Sequence, residues 1–312
     1  MKIILLGAAG FIGTNLVLNL VKDKSNKITV VDRDKSYFKL FEKLNLPDLN
    51  MVEADLTENT DFETLVNNQD IVFHLISTSV PSTSNQHITD EIRGNVCLTS
   101  NLLEACARHS IKKVIFISSG GAVYGKESSC PLTESTPTNP ITSYGVQKIT
   151  IEKLLYLYHY MHGLDYRIIR LSNPYGPYQR PNGVLGVVST FVYNSIIGKE
   201  INVYGDGGVV RDFIYIDDAI RGILNIVYGD SSYRTFNLGC GYGTSIKQLI
   251  ETIKQTLNIN LSVKYTSTRQ VDVPVNYLNI ERYEKEYGKL NPISLEQGIM
   301  NTAKFMKDFY SV

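Results

Sequence analysis

Apolar positions along this chain follow two rhythms. Over roughly the first half, short continuous apolar runs alternate with longer stretches in which apolar residues recur every three or four positions. The runs have the length of strands buried on both faces, and the recurring stretches have the period of amphipathic helices. The runs fall at 2–6, Ile28–Val31, Asn50–Glu53, Ile71–Leu75, Lys113–Ile117 and Tyr166–Arg170. Helical patterns occupy Leu16, Val17, Leu20 and Val21, then Asp61–Val66, Ile88–Arg108 and Ser143–Met161. This repetition predicts an α/β fold, a Rossmann-type doubly wound parallel sheet. Beyond Arg170 the alternation loosens, and glycine- and proline-bearing stretches such as Pro174–Gly183 separate shorter elements. The expected organisation is one domain over 1–172, to which later segments return, and a smaller α/β lobe formed mainly by 173–312. An amphipathic helix over Ser294–Phe309 closes the chain.

The junction between the first run and the first helical stretch carries the first chemistry. Gly7, Gly10 and Gly13 lie between them, with Phe11 and Ile12 opening the helix. Glycine serves such a strand–turn–helix junction because the backbone turns sharply, admits a pyrophosphate and packs helix on strand. The helix start offers unpaired N–H groups to the anion. The second run ends in Asp32, about 20 residues past the last glycine, where a carboxylate accepts from ribose hydroxyls. Asp32 favours NAD over NADP, and Arg33 beside it leaves NADP open; the bland reading of Asp32 is a solvated loop residue.

Composition narrows the classes. The 312 residues are 43% hydrophobic, enough for a large core, and the formal net charge is zero, which gives no general attraction to nucleic acid or anionic membrane. No apolar run approaches the roughly 20 residues of a membrane-spanning helix. Lys2 ahead of apolar residues is also how a signal peptide begins, but glycines break the run and no small-residue cleavage site follows. Cys97, Cys106, Cys130 and Cys240 form no Cys-x-x-Cys pair, and His159 and His162 lack accompanying ligands, so no metal site is expected and reduced thiols in the cytoplasm are the economical reading.

Ligands of such sheets bind beyond the carboxyl ends of the strands. Asp55 and Leu56 follow the third strand, and Leu75, Ile76 and Ser77 the fourth, where adenine and the nicotinamide-side ribose would lie. For Asp55, adenine recognition and N-capping of the next helix stand equally. The fifth strand ends in Ser118-Ser119-Gly120-Gly121-Ala122-Val123-Tyr124-Gly125, and later comes Tyr144-Gly145-Val146-Gln147-Lys148. On a helix Tyr144 and Lys148 share a face. A tyrosine with pKa near ~10 is a poor base at neutral pH, and an adjacent ammonium favours its phenolate.

With these motifs the chain resembles the extended short-chain dehydrogenases/reductases of the NAD-dependent epimerase/dehydratase family, and within it the UDP-glucose (UDP-N-acetylglucosamine) 4-epimerases. The resemblance also runs through Gly94-Asn95-Val96, Arg170–Pro177, Val210–Asp218 and Arg269–Pro274. It implies NAD as cofactor, with Asn95 and Ser118 joining the cofactor residues above, and Tyr144, Lys148 and Ser119 as catalytic groups. It implies a UDP-sugar substrate. Asn173 would contact the diphosphate, Val187 and Tyr204 would flank the uracil, Arg211 and Arg269 would hold phosphates, and Asp272 would order the ribose side. It further implies a homodimer through the helices near Asn95–Arg108 and Gly145–Met161.

Three departures refine that implication. Where the family usually has serine or threonine, three residues before the valine of Val-Tyr-Gly, this chain has Gly120, leaving Ser119 or a water for that role. Gly121 and Ala122 stand where elimination or decarboxylation enzymes carry ionisable groups, which points to epimerisation or simple reduction. Asn276 stands where a bulky tyrosine in related epimerases excludes N-acetylated sugars. The alternatives are a nucleotide-linked 4-keto-6-deoxysugar reductase of the same fold and a non-catalytic dinucleotide sensor.

Overall fold

The computed structural model describes residues 1–46, 49–79, 84–126, 129–181, 185–268 and 273–311. The first six strands are β1 (Lys2–Leu6), β2 (Lys27–Asp32), β3 (Leu49–Glu53), β4 (Ile71–His74), β5 (Lys113–Ser119) and β6 (Tyr166–Leu171). With a late strand, Thr235–Leu238, they form a parallel seven-stranded sheet ordered late strand, β6, β5, β4, β1, β2, β3. The order reverses at β1, where Ile4 lies opposite Thr29 of β2 on one side and Val72 of β4 on the other. Such a switch point is where doubly wound sheets bind ligands. Ile3 to Leu6 are wholly buried, as continuous apolar runs require of a sheet covered on both faces.

The chain forms two compact units, 1–118 with 142–169 and 232–235, and 119–141 with 170–231 and 236–312. In the first, helices α1 (Phe11–Leu20), α2 (Lys39–Lys43), α3 (Phe62–Val66), α4 (Ile88–Ile92), α5 (Leu98–Arg108) and α6 (Ser143–His162) accompany the strands. Leu98, Leu102 and Cys106 of α5 and Ile151 and Leu155 of α6 pack with Val72, Val114 and Phe116 of the sheet. Helix α6 starts on Thr142, whose hydroxyl accepts from the Gly145 N–H, and ends on Gly163 at φ +71°. Those caps satisfy backbone groups that helix ends leave open.

The helical pattern over Ile88–Arg108 is interrupted by a wider π turn at Arg93–Cys97. Asn95 in that turn explains it: its Nδ2 donates to Glu91 O, Gln147 Oε1 and Thr78 Oγ1, while its Oδ1 accepts from Thr78 N. A side chain that takes up backbone and neighbouring groups in this way loosens the regular ladder. Periodicity carries no mark of such a turn.

The second unit holds β7 (Asn173–Tyr175), β8 (Ile201–Tyr204), β9 (Val210–Arg211), β10 (Phe213–Tyr215), β11 (Thr235–Leu238), β12 (Thr244–Ser245), β13 (Val263–Thr266) and β14 (Val275–Asn276). Its helices are α7 (Val187–Ile196), α8 (Ile216–Tyr228), α9 (Ile246–Leu257), α10 (Glu281–Tyr287) and α11 (Leu295–Tyr310). Apart from β11, the late strand, the strands make small sheets: β10 with β7, β13 with β8, and β9 between β12 and β14. Ser294 caps α11, whose Phe305 and Phe309 rings meet Tyr178. Among the described residues no helix is long and apolar enough to cross a membrane.

Candidate active site

In the first unit the glycine turn is fixed by its neighbours. Gly7 has φ +84°, and a Cβ there would sit 3.2 Å from the Leu75 carbonyl carbon and 3.3 Å from Ile76 N. A Cβ on Gly13 would lie 2.4 Å from Ala8 O, so the start of α1 presses directly on the turn. Gly10 caps α1 with no side-chain partner, and Phe11 and Ile12 behind it are half-buried. Asp32 closes the arrangement, its Oδ2 accepting from Ala9 N at 2.9 Å and its Oδ1 from Arg33 N at 2.9 Å. Each carboxylate oxygen retains a lone pair for a further donor. The positive φ, the close backbone approach, the helix start without a side-chain cap and the acidic strand end fit a dinucleotide.

The other residues expected at the cofactor lie around this turn in varied settings. Arg33 stacks on Tyr37 at 5.6 Å and donates to its hydroxyl. That bond raises the Arg33 pKa, with smaller contributions from Asp32 and Asp55. Asp55 is exposed, and α3 is capped by Asp61, which accepts from Thr64 N; the capping reading of Asp55 therefore falls. Leu56 is half-buried, and the Ser77 hydroxyl donates to Ser79 O. Asn95 is buried in the network described above, which Ser143 and Gln147 extend to the Glu91 carboxylate. Ser118 is buried with its hydroxyl donating to Glu152 Oε1 at 2.6 Å.

The Tyr144 and Lys148 pair stands on α6. The Lys148 Nζ lies 5.5 Å from the Tyr144 ring centre and 4.7 Å from that of Phe116, and it donates to Ile117 O at 2.9 Å. Burial pushes the Lys148 ammonium down to about 8, against an upward pull from Glu152. His74, at the end of β4, is buried and held neutral, its pKa pushed down to about 3 by burial and then by Lys148. Its Nε2 pairs with Thr99 Oγ1, which donates onward to Asn95 O. His74 ends the fourth apolar run and Gln147 lies between Tyr144 and Lys148, where the sequence gives neither a role; Glu91 and Glu152 lie outside the motifs, Glu152 one helical turn past Lys148.

The second unit carries the other candidates. Ser119 Oγ and Asn173 Oδ1 would each lie 3.9 Å from a Cβ on Gly121, so the two polar atoms border one small space. Gly120 cannot take a side chain as it stands: a Cβ would meet Leu278 Cδ1 at 2.6 Å and Arg170 O at 3.1 Å. The Gly120 carbonyl accepts from the buried Asn276 Nδ2 at 3.2 Å. Asn173 donates through both N and Nδ2 to Asp212 O. Asp212 is wholly buried, accepting from Cys240 N, Gly241 N and Leu278 N, and burial lifts its pKa to about 6 against those bonds.

Arg211, opposite Asn276 across β9 and β14, donates through Nη1 to Val210 O and Val273 O. Val187 opens α7 half-buried behind Gly186, and Tyr204 is exposed at the end of β8. Arg269 and Asp272 lie outside the described residues. Among the described residues no group of three His, Cys, Asp or Glu could hold a metal ion.

Known proteins resemble the chain in sequence and in fold. The model of the NAD dependent epimerase/dehydratase family matches residues 3–239. The chain is 32% identical over 308 residues to a putative UDP-glucose 4-epimerase of Methanocaldococcus jannaschii, covering 98% of each. The structure of a Thermotoga maritima UDP-glucose 4-epimerase with UDP-glucose superposes with a TM-score of 0.91 at 29% identity, covering 99% of this chain and 100% of that one. That of a Methanobrevibacter ruminantium UDP-N-acetylglucosamine 4-epimerase with UDP-N-acetylmuramic acid gives 0.90 at 31% identity, covering 99% and 98%.

Proposed function

The chain belongs to the NAD dependent epimerase/dehydratase family, an NAD-using family of enzymes, and from that premise we propose that it interconverts UDP-glucose and UDP-galactose, or their N-acetylated forms, through a transient 4-keto sugar. The observation that carries the reading is the Tyr144 and Lys148 pair, buried ammonium against phenol ring, on a unit whose glycine turn and Asp32 suit a dinucleotide. Bound NAD would accept the hydride from the sugar's fourth carbon and return it to the opposite face.

Gly7, Gly10 and Gly13 would hold the pyrophosphate, Asp32 the ribose hydroxyls, and Leu75 and Ile76 the nicotinamide end. Tyr144 takes the proton of the 4-hydroxyl and gives it back once the sugar has turned. The Lys148 ammonium stabilises the phenolate, because a positive charge in a buried setting interacts far more strongly than in water. Ser119 supplies the remaining hydroxyl, since Leu278 fills the space a side chain on Gly120 would need. Asn173, Arg211 and Arg269 anchor the diphosphate, arginine suiting it by its planar fork. A firmly held nucleotide and a loosely held sugar are what a reaction on both faces requires.

Gly121 and Ala122 favour epimerisation over elimination, having no ionisable group to offer. N-acetylated substrates are supported by Asn276, whose buried Oδ1 has no hydrogen-bond partner among the described residues while its Nδ2 engages Gly120 O. A homodimer is supported by the exposed apolar residues Tyr156, Leu157, Tyr160 and Met161 on α6 and Ile88 and Ile92 on α4, Tyr160 being 80% exposed.

The test is to incubate the purified protein with UDP-glucose, UDP-N-acetylglucosamine and their 4-epimers, with no cofactor added, and to resolve the products by NMR. Interconversion without net redox is expected. Turnover only of a 4-keto sugar with added reduced cofactor would replace the reading by a reductase, and no turnover with NAD bound would favour a sensor.

A further inference from the structure

Tyr144, Lys148 and Glu152 follow one another at single-turn intervals along α6, so they lie on one stripe of the helix. Lys148 is 7% and Glu152 5% exposed. A buried carboxylate and a buried ammonium one turn apart are unusual on a helix that also buries Ile151 and Leu155. We propose that Glu152 is a positioning residue for the reaction: as the buried counter-ion of Lys148, oriented by the Ser118 hydroxyl, it keeps the Lys148 ammonium charged against the Tyr144 ring. The inference rests on the roles given to Tyr144 and Lys148 above.

The groups facing Lys148 come from three elements. From α6 there are Tyr144 and, one turn on, Glu152, which acts on Lys148 as a charge; from β5, the Phe116 ring, the Ile117 carbonyl and Ser118 bonded to Glu152; and from β4, His74. His74 is held neutral, so it neither opposes nor replaces a counter-ion at neutral pH. Carbonyl and ring offer partial charges, whereas Glu152 offers a full one, and it is the one group that pulls the Lys148 pKa upward against burial. Desolvation alone drives a buried lysine toward its neutral amine. An amine without charge gives a phenolate no stabilisation.

The Ser118 bond fixes the device in place. Its hydroxyl donates to Glu152 Oε1 at 2.6 Å, and Ser118 follows directly on Ile117, whose carbonyl takes the Lys148 Nζ. One stretch of β5 therefore positions both members of the pair.

The sign of the effect follows from which form works. The charged form of Lys148 exists below its folded pKa and is lost as pH rises through it, so Lys148 sets the alkaline limb of activity near about 8. Glu152→Gln preserves shape and the acceptor for Ser118 but removes the charge. Its alkaline limb should move down by about one pH unit, giving roughly fivefold less activity at pH 8 and little loss at pH 6. Glu152→Asp should return part of the shift. A merely structural role would lower the rate by a similar factor at every pH.

The readout that does not depend on turnover is NMR titration of the Lys148 side chain in protein labelled with 13C-lysine, assigned by its absence in Lys148→Met. The Lys148 midpoint should be lower in Glu152→Gln than in the wild type, and Ser118→Ala should give a smaller shift in the same direction. Should Glu152→Gln fail to fold, Ser118→Ala carries the test. Unchanged midpoints, or a loss independent of pH, would overturn the proposal. A wild type that interconverts no sugar would instead overturn the functional reading, while the titration without substrate still decides the pair.

Discussion

Each unit buries an acidic side chain beside its candidate chemistry, and the two are partnered in opposite ways. In the first, Glu152 sits one turn from Lys148 on the same helix and receives the Ser118 hydroxyl. In the second, Asp212 receives backbone N–H groups from Cys240, Gly241 and Leu278, far along the chain, and its own carbonyl takes both donors of Asn173. A carboxylate facing a lysine tunes that lysine. A carboxylate bonded to three loop amides holds loops together and tunes little beyond itself. Substitutions around Glu152 and Lys148 should therefore change rates and pH profiles at nearly constant stability, and those around Asp212 and Arg211 should change stability or substrate affinity.

The largest effect belongs to Tyr144→Phe. It removes the base alone, so turnover should fall about a thousandfold or more, while thermal unfolding and bound NAD, measured after acid release, stay as in the wild type. Substantial retained activity would sink the assignment of the pair and the first half of the contrast.

Next is Asp212→Ala, which leaves the buried Cys240 and Leu278 amides and the half-buried Gly241 amide without this acceptor. At one to a few kcal/mol for each orphaned donor, urea unfolding should report a loss of about 3 kcal/mol or more. The pH dependence separates this from simple cavity formation. The Asp212 pKa is raised when folded, so the stability it brings is complete in acid and is lost as pH rises from about 4 through about 6. The wild type should show that falling component, and the variant should lack it.

Arg211→Ala should raise the KM for the UDP-sugar roughly 10- to 100-fold, the worth of a charge-assisted hydrogen bond, with kcat little changed. Arg211→Lys should recover only part, because the guanidinium also braces Val210 O and Val273 O and a lysine cannot fork. A fall in kcat equal to the rise in KM would place Arg211 with the chemistry and blur the contrast between the units.

The same contrast explains what the sequence made legible. The strand ends, the glycine turn, Asp32 and the i, i+4 pair were readable because each is set by residues within a few positions or by one helical period. So was the parallel sheet, whose strands alternate with helices along the chain. The π turn was not, since it depends on Asn95 meeting Gln147 and Thr78. The Asp212 knot was not either: the residue lies within Val210–Asp218, but its partners are 28 to 66 positions away. Glu152 was within reach of helical arithmetic, yet only its burial distinguishes it from an exposed glutamate.

The smallest expected effect concerns Gly120, where sequence comparison raised a missing hydroxyl and the structure supplies a steric reason. Restoring serine there puts a Cβ into Leu278 and near Arg170 O. Gly120→Ser should cost about 1–3 kcal/mol through overpacking, with no gain in rate, because the wholly buried Leu278 occupies the space the serine would need. In a Leu278→Ala background, itself destabilised by its cavity, the serine should cost less, so the two substitutions should couple favourably in a double-mutant cycle. Ser119→Ala should lower kcat in both backgrounds if Ser119 holds the hydroxyl role. If Gly120→Ser in the enlarged space instead rescued Ser119→Ala, the two positions would be interchangeable sources of one hydroxyl. Leu278, set by the backbone bond from its amide to Asp212, would then be what chose between them, and the architectural carboxylate of the second unit would reach the chemistry after all.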